Sequence, residues 1–276
     1  MDLREIKALM VTAVLAAILG SRLARAEDTG EINEGEDDTR PLARLDIKYQ
    51  YLNLPSVEND NTQVITLRVD KPFVLSPEWQ LATRFDLPLY ITDAVSSDNP
   101  NGRTSAGLGD VLLQGLLIHA SPQSRFSWLT GARLVFPTAS EDQMGTGKWQ
   151  IISTLGGRYF MPEITPGSWI ALITRYGVSF AGDQDRNDIK DLQFAPKLYI
   201  QLPGTWFVNF YPATDIRYNL APKRPGDTGR WFVPLDVVGG KMLTKSMIAS
   251  FEISVPIVNQ YKVYDLKLEA RVGYFF

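Results

Sequence analysis

The chain carries one histidine, His119, and no cysteine, which leaves nucleophilic and thiolate chemistry little to work with. Acyl transfer would need His119 beside a serine and an acidic or amide partner. The nearest serines, Ser121 and Ser124, belong to the short run SPQS, a composition that makes a tight turn. GTGKW lacks the earlier glycine and the following Ser or Thr of a phosphate loop, and GLGD does not continue into a dinucleotide fingerprint. No catalysis and no cofactor are expected.

Eight charged residues suggest a different chemistry. Lys48, Arg68, Arg84, Arg175 and Lys197, then Asp236, Glu252 and Glu269, each fall near the middle of a segment in which apolar and polar residues alternate. Period two sends alternate side chains to opposite faces of a strand, so all eight share the polar face. The cations precede the acids along the chain. Around a ring of strands that order would set a transverse field across the enclosed space and orient polar solutes in it. Arg84 and Arg175 on one side, with Asp236 and Glu252 on the other, are the leading candidates for such a constriction; replacing Arg84 by a neutral residue should then shift ion selectivity toward cations. A second reading pairs Glu269 with Lys48 and fills the space with salt bridges, because unpaired charges in a low-dielectric interior are costly.

The elements that must hold these charges are legible as strands. In the final run LKLEARVGYFF, Leu266, Leu268, Ala270, Val272, Tyr274 and Phe276 alternate with Lys267, Glu269 and Arg271. Leu45, Ile47, Tyr49 and Tyr51 alternate in the same way with Arg44, Asp46, Lys48 and Gln50. The pattern recurs to give about twelve candidate strands between residues 43 and 276. Pro196, Pro212, Pro234 and Pro256 fall inside them and predict bulges or strand ends. With both termini on one side, short connections such as SPQS, PG and LTK fall mostly on that side and longer polar ones on the other.

The start of the chain indicates where such strands belong. Arg4 and Lys7 precede an apolar run from Ala8 to Gly20, followed by Ala24-Arg25-Ala26, the signature of a secretory signal peptide cleaved after residue 26. The remaining 250 residues contain 24 basic and 29 acidic side chains, a balance that excludes a nucleic-acid partner recognised through a basic patch. No later run approaches the length of a spanning helix. Residues 27–42 carry seven acids between Glu27 and Asp38 and are expected to form a flexible, solvated arm. They lack the spaced order of a calcium loop, so no metal is expected there.

These observations predict an all-β fold, an antiparallel transmembrane β-barrel of about 12 strands closed by the C-terminal strand ending at Phe276. Closure supplies what a soluble sandwich would lack, a partner for every strand edge and lipid for every apolar face. Trp79, Trp128, Trp149, Trp206 and Trp231 sit at or near predicted strand starts, where aromatic girdles meet the membrane interfaces. Trp169 has the parity of an inward residue. Tyr274 and Phe276 read as the C-terminal signal presented to a barrel assembly machinery, with outer-membrane lipid and a small-molecule solute as the other partners.

Two stretches carry a family resemblance. Gly107, Gly109 and Asp110, then Pro137-Thr138, then Gly145, Gly147 and Trp149 resemble the outer-membrane barrel family named for a MetA pathway of phenol degradation, with Ala139 where that family usually has glycine. The resemblance implies uptake of aromatic or other poorly soluble compounds. The function expected is therefore a bacterial outer-membrane channel for passive uptake of small molecules, aromatic and hydrophobic ones included; the alternative is a non-conducting structural or surface-interaction barrel with a salt-bridged lumen. The loop near residues 89–106 would cover its entrance.

Overall fold

The computed structural model describes residues 33, 35–54, 61–224, 226–261 and 263–276. The predicted signal peptide, residues 1–26, lies outside the described residues.

Fourteen strand segments follow in chain order: β1 (Arg44–Asn53), β2 (Asn61–Val74), β3 (Trp79–Thr92), β4 (Ser105–Leu108), β5 (Val111–Ala120), β6 (Phe126–Phe136), β7 (Lys148–Phe160), β8 (Trp169–Gly182), β9 (Lys190–Gln201), β10 (Trp206–Phe210), β11 (Ile216–Asn219), β12 (Trp231–Thr244), β13 (Met247–Asn259) and β14 (Leu266–Phe275). β4 and β5 both pair with β3 and form one stave interrupted at Gly109-Asp110. β10 and β11 both pair with β9 and β12 and form another, interrupted by residues 211–215. The fourteen segments therefore make twelve antiparallel staves, and β1 pairs with β14 from Arg44↔Phe275 to Asn53↔Leu266, which closes the ring. The predicted count and closure hold.

The prolines explain the irregularities. Pro212 lies in the break between β10 and β11, just after Tyr211 with φ 54°. Pro234 and Pro256 face each other at a register shift of β12 against β13; neither has an N–H to donate, so the two missing donors coincide at one rung. Pro196 sits in β9 opposite Leu172 without a shift in register.

Burial is inverted relative to a soluble sheet. On β14, Lys267, Glu269 and Arg271 are buried while Ala270, Val272 and Tyr274 are exposed. Leu155, Leu172, Leu235 and Phe251 are likewise more than half exposed on the outer surface. Charge inside and an apolar band outside is the arrangement that lipid stabilises.

The end of the barrel at which β1 begins and β14 ends carries two apolar clusters. Ala82, Leu116, Ile118, Leu129, Ile173 and Ala195 form one inward apolar cluster. Trp169, Tyr199 and Phe207 form a second, with Trp169 and Tyr199 stacked at 5.0 Å between ring centroids. Trp169 thus points inward, as its parity predicted.

Candidate functional site

Beyond these clusters the barrel encloses a cavity of about 600 Å³. Seven of the eight predicted charges face it: Lys48, Arg68, Arg84, Arg175, Lys197, Glu252 and Glu269. Their pairing differs from a field of segregated charge. Arg68 makes a two-pronged bond to Asp86 at 2.7 and 2.6 Å, and Arg84 one to Asp70 at 2.7 and 2.9 Å. Asp70 also accepts from Arg44 at 2.8 Å. Acids therefore interleave with arginines on β1 to β3, because cross-strand neighbours Arg68↔Asp86 and Asp70↔Arg84 share the inner face. Lys48 meets Glu269 at 2.5 Å across the closing seam, the pairing foreseen by the second reading of these charges.

Asp236 is the exception among the eight. It lies on the inward face of β12 but is fully buried and does not line the cavity, and Lys267 is 3.8 Å away. Lys267 also binds Asp215 and Glu252, so one lysine on β14 sits among three carboxylates. Asp236 is therefore not among the residues that line the cavity. The strand parity of Lys267 could have revealed it; Asp215, in the break between β10 and β11, gave no alternating signal.

The acidic arm does not behave as solvated chain where it is described. Gly35, Glu36 and Asp38 form part of the cavity floor, and Asp37 and Thr39 are buried. Glu36 pairs with Arg271 on β14, Asp37 with Arg158 on β7 at 2.9 Å, and Asp38 with Lys197 on β9. Arg44 Nη1 donates to the Gly35 carbonyl at 2.6 Å. Three consecutive acids thus reach three different walls. Burial by itself would raise the Asp38 carboxyl, but Lys197, with Arg84 and Arg175 nearby, holds it well below the usual carboxylate range.

At the opposite end the glycine-rich motifs build a clasp. Asp110 accepts from Thr146 N at 2.7 Å, Thr146 Oγ1 at 2.8 Å and Ala139 N at 3.3 Å. Thr138 Oγ1 donates to the Gly109 carbonyl at 3.0 Å and accepts from Val111 N at 2.9 Å. A Cβ on Gly145 would lie 2.4 Å from Ala139 Cβ and 2.5 Å from Asp110 Oδ1, and one on Gly109 only 2.4 Å from the Tyr90 ring. Glycine is required at both places by close approach. Ser96 Oγ donates to Gln143 Oε1 at 2.6 Å, which ties the loop between β3 and β4 to the clasp.

The remaining predicted residues fall at the rims. Trp149, Trp206 and Trp231 are exposed, and Trp79 and Trp128 are half-buried on either side of His119. His119 lies 3.6 Å from Glu78, while Ser121 and Ser124 form the turn, Ser124 N donating to the Ser121 carbonyl at 3.0 Å. Tyr274 is exposed on β14, and Phe276 N donates to the Ala43 carbonyl at 3.1 Å. Sequence reasoning missed Arg133 on β6, which faces the cavity.

Among solved structures, the fold is similar to an outer membrane channel from Pseudomonas putida F1, with a TM-score of 0.69 at 15% identity over 89% of this chain and 100% of that one. The NanC porin aligns with a TM-score of 0.49 at 11% identity over 84% of this chain and 98% of its own. The KdgM porin aligns with 0.46 at 10% identity, over 84% and 99%. No curated protein matches the chain. A closed twelve-stranded barrel with an apolar exterior belongs in the bacterial outer membrane. The family model described as "Putative MetA-pathway of phenol degradation" matches residues 56–193, half of the sequence, and the chain belongs to that family.

Proposed function

We propose that the chain is a passive conduit for small molecules across the outer membrane, closed from the periplasmic side by its own residues 35–42. The observation that carries this reading is the mode of attachment of the arm. Glu36, Asp37 and Asp38 hold to the barrel through side-chain ion pairs, and no strand of the sheet includes the arm. Such a segment is able to leave without unzipping a ladder. The short turns on the side where β1 begins and β14 ends support a periplasmic placement of that side. No step of the reading involves catalysis.

The solutes favoured are small, with aromatic and hydrophobic compounds among them. Ile152, Ile189 and Val263 offer apolar surface to an otherwise charged cavity, and the family description points the same way. The Trp79, Trp128, Trp149, Trp206 and Trp231 side chains would meet the lipid interfaces, and the strand ending in Tyr274 and Phe276 would be read by the assembly machinery.

That same end favours a second reading, a barrel that conducts nothing. Its two apolar clusters draw residues from β3 through β13, and the arm is tied to β7, β9 and β14. Osmotic swelling of proteoliposomes separates the two. The conduit predicts arabinose entry faster than in protein-free vesicles once residues 27–42 are removed; folded protein that leaves the rate at the protein-free level would support the structural barrel.

A further inference from the structure

Most cations around the cavity have a carboxylate at ion-pair distance: Arg44, Lys48, Arg68, Arg84, Lys197, Arg217, Lys267 and Arg271 all do. Arg133 and Arg175 do not, among the described residues. Arg133 gives its Nε to Gln114 Oε1 at 2.5 Å, which leaves both terminal nitrogens for the cavity. Arg175 is 8% exposed, bonds through Nη1 to Thr214 Oγ1, and has a buried Nε with no partner.

The two arginines flank one stave. Arg133 is opposite Ile152 on β7, and Arg175 is opposite Thr154, two residues further along the same face of β7. The two guanidiniums, on strands either side of β7, are each hydrogen-bonded to a neutral side chain. Although Asp38 lies near Arg175, neither guanidinium has a carboxylate at ion-pair distance among the described residues; they form a positive spot on a wall where the other charges are directly paired. Guanidinium forks bind carboxylates through paired, charge-assisted bonds. Ile152, buried and facing the cavity between them, adds an apolar surface.

We propose that Arg133 and Arg175 form an anion site within the lumen that takes a small organic carboxylate, its charged end on the two guanidiniums and its apolar body against Ile152. As a solute site this rests on the conduit reading. Its test reads binding alone, so that failure of conduction and failure of this site are separate results.

The probe is sodium benzoate, with benzamide as the neutral isostere, titrated by saturation-transfer NMR into the refolded full chain in detergent. Benzoate should bind more tightly than benzamide by roughly tenfold or more, and Arg133→Gln with Arg175→Gln should remove that preference. Should the double variant lose the heat-dependent gel mobility of a folded barrel, Arg133→Gln alone carries the test, because Arg133 is only partly buried; it should weaken benzoate and leave benzamide unchanged. Equal binding of benzoate and benzamide, or benzoate binding indifferent to both substitutions, would overturn the assignment.

Discussion

Asp38 and Lys197, 159 positions apart in sequence, form an ion pair inside the barrel. The lysine belongs to the wall and the aspartate to a segment that takes no part in the sheet. In the proposed conduit the pair would link closure of the lumen to one side-chain contact, with Glu36 and Asp37 paired on two other walls.

The Asp38 carboxyl, held below its ordinary value of 3.8 by Lys197, Arg84 and Arg175 against the opposing effect of burial, sets a pH dependence. A depressed pKa contributes docking stability that is complete above the ordinary value and is lost as pH falls through the depressed one. Open probability in planar bilayers should be flat from about pH 7 to about pH 5 and rise only in stronger acid. A rise centred near neutrality would contradict this role for Asp38.

Glu269 accepts from Lys48 at 2.5 Å and from Gln50 Nε2 at 2.6 Å across the seam between β1 and β14. Glu269→Gln takes the counter-charge from a half-buried lysine that faces the cavity and should cost about 1.5–3 kcal/mol, the range for a charge-assisted hydrogen bond. The temperature of the heat-dependent gel shift should fall, and Lys48→Met combined with Glu269→Leu should recover much of the loss. Equal transition temperatures for wild type and Glu269→Gln would show that the seam does not depend on the pair.

Asp110→Ala removes three bonds that pin residues 139–146, each worth on the order of 1.5–3 kcal/mol with a charged acceptor. Amide hydrogen exchange should quicken in that loop while β6 and β7 keep their protection. Uniform loss of protection along both strands would mean that Asp110 supports the barrel itself.

Arg84→Gln should shift the reversal potential under a salt gradient toward cations, read in the variant lacking residues 27–42. The shift should be smaller than for Arg133→Gln, because Arg84 already neutralises Asp70 whereas Arg133 neutralises no carboxylate among the described residues. A larger shift for Arg84 would reverse that ranking.

The sequence exposes the walls more readily than their contents. Alternation over residues 265–272 and 43–51 comes from a face that must be apolar for lipid and a face that must be polar for the lumen, so parity alone orients Lys48 and Glu269. The stave interrupted at residues 211–215 still counts as one, because Pro212 and Tyr211 bend the chain without moving it to a new neighbour. Pairing is harder to read, since it depends on which inward residue stands on the next strand: Asp70 and Asp86 fall opposite Arg84 and Arg68 only in the observed register. Asp236 has the expected parity, but it is fully buried beside Lys267, and it is the lysine that lines the cavity. Arg133 is obscured by Gly131-Ala132 before it and Leu134-Val135-Phe136 after it, a run without clean alternation. The arm looks solvated in composition because its partners, Arg158, Lys197 and Arg271, lie more than a hundred residues away.

Whether residues 35–42 close a conduit is decided by single-channel recording in planar bilayers, comparing the refolded chain with a variant lacking residues 27–42. The chain with its arm should show rare or small openings, and the variant frequent, discrete, larger steps. Silence from both, in protein shown by heat-dependent gel mobility to be folded, would contradict the conduit.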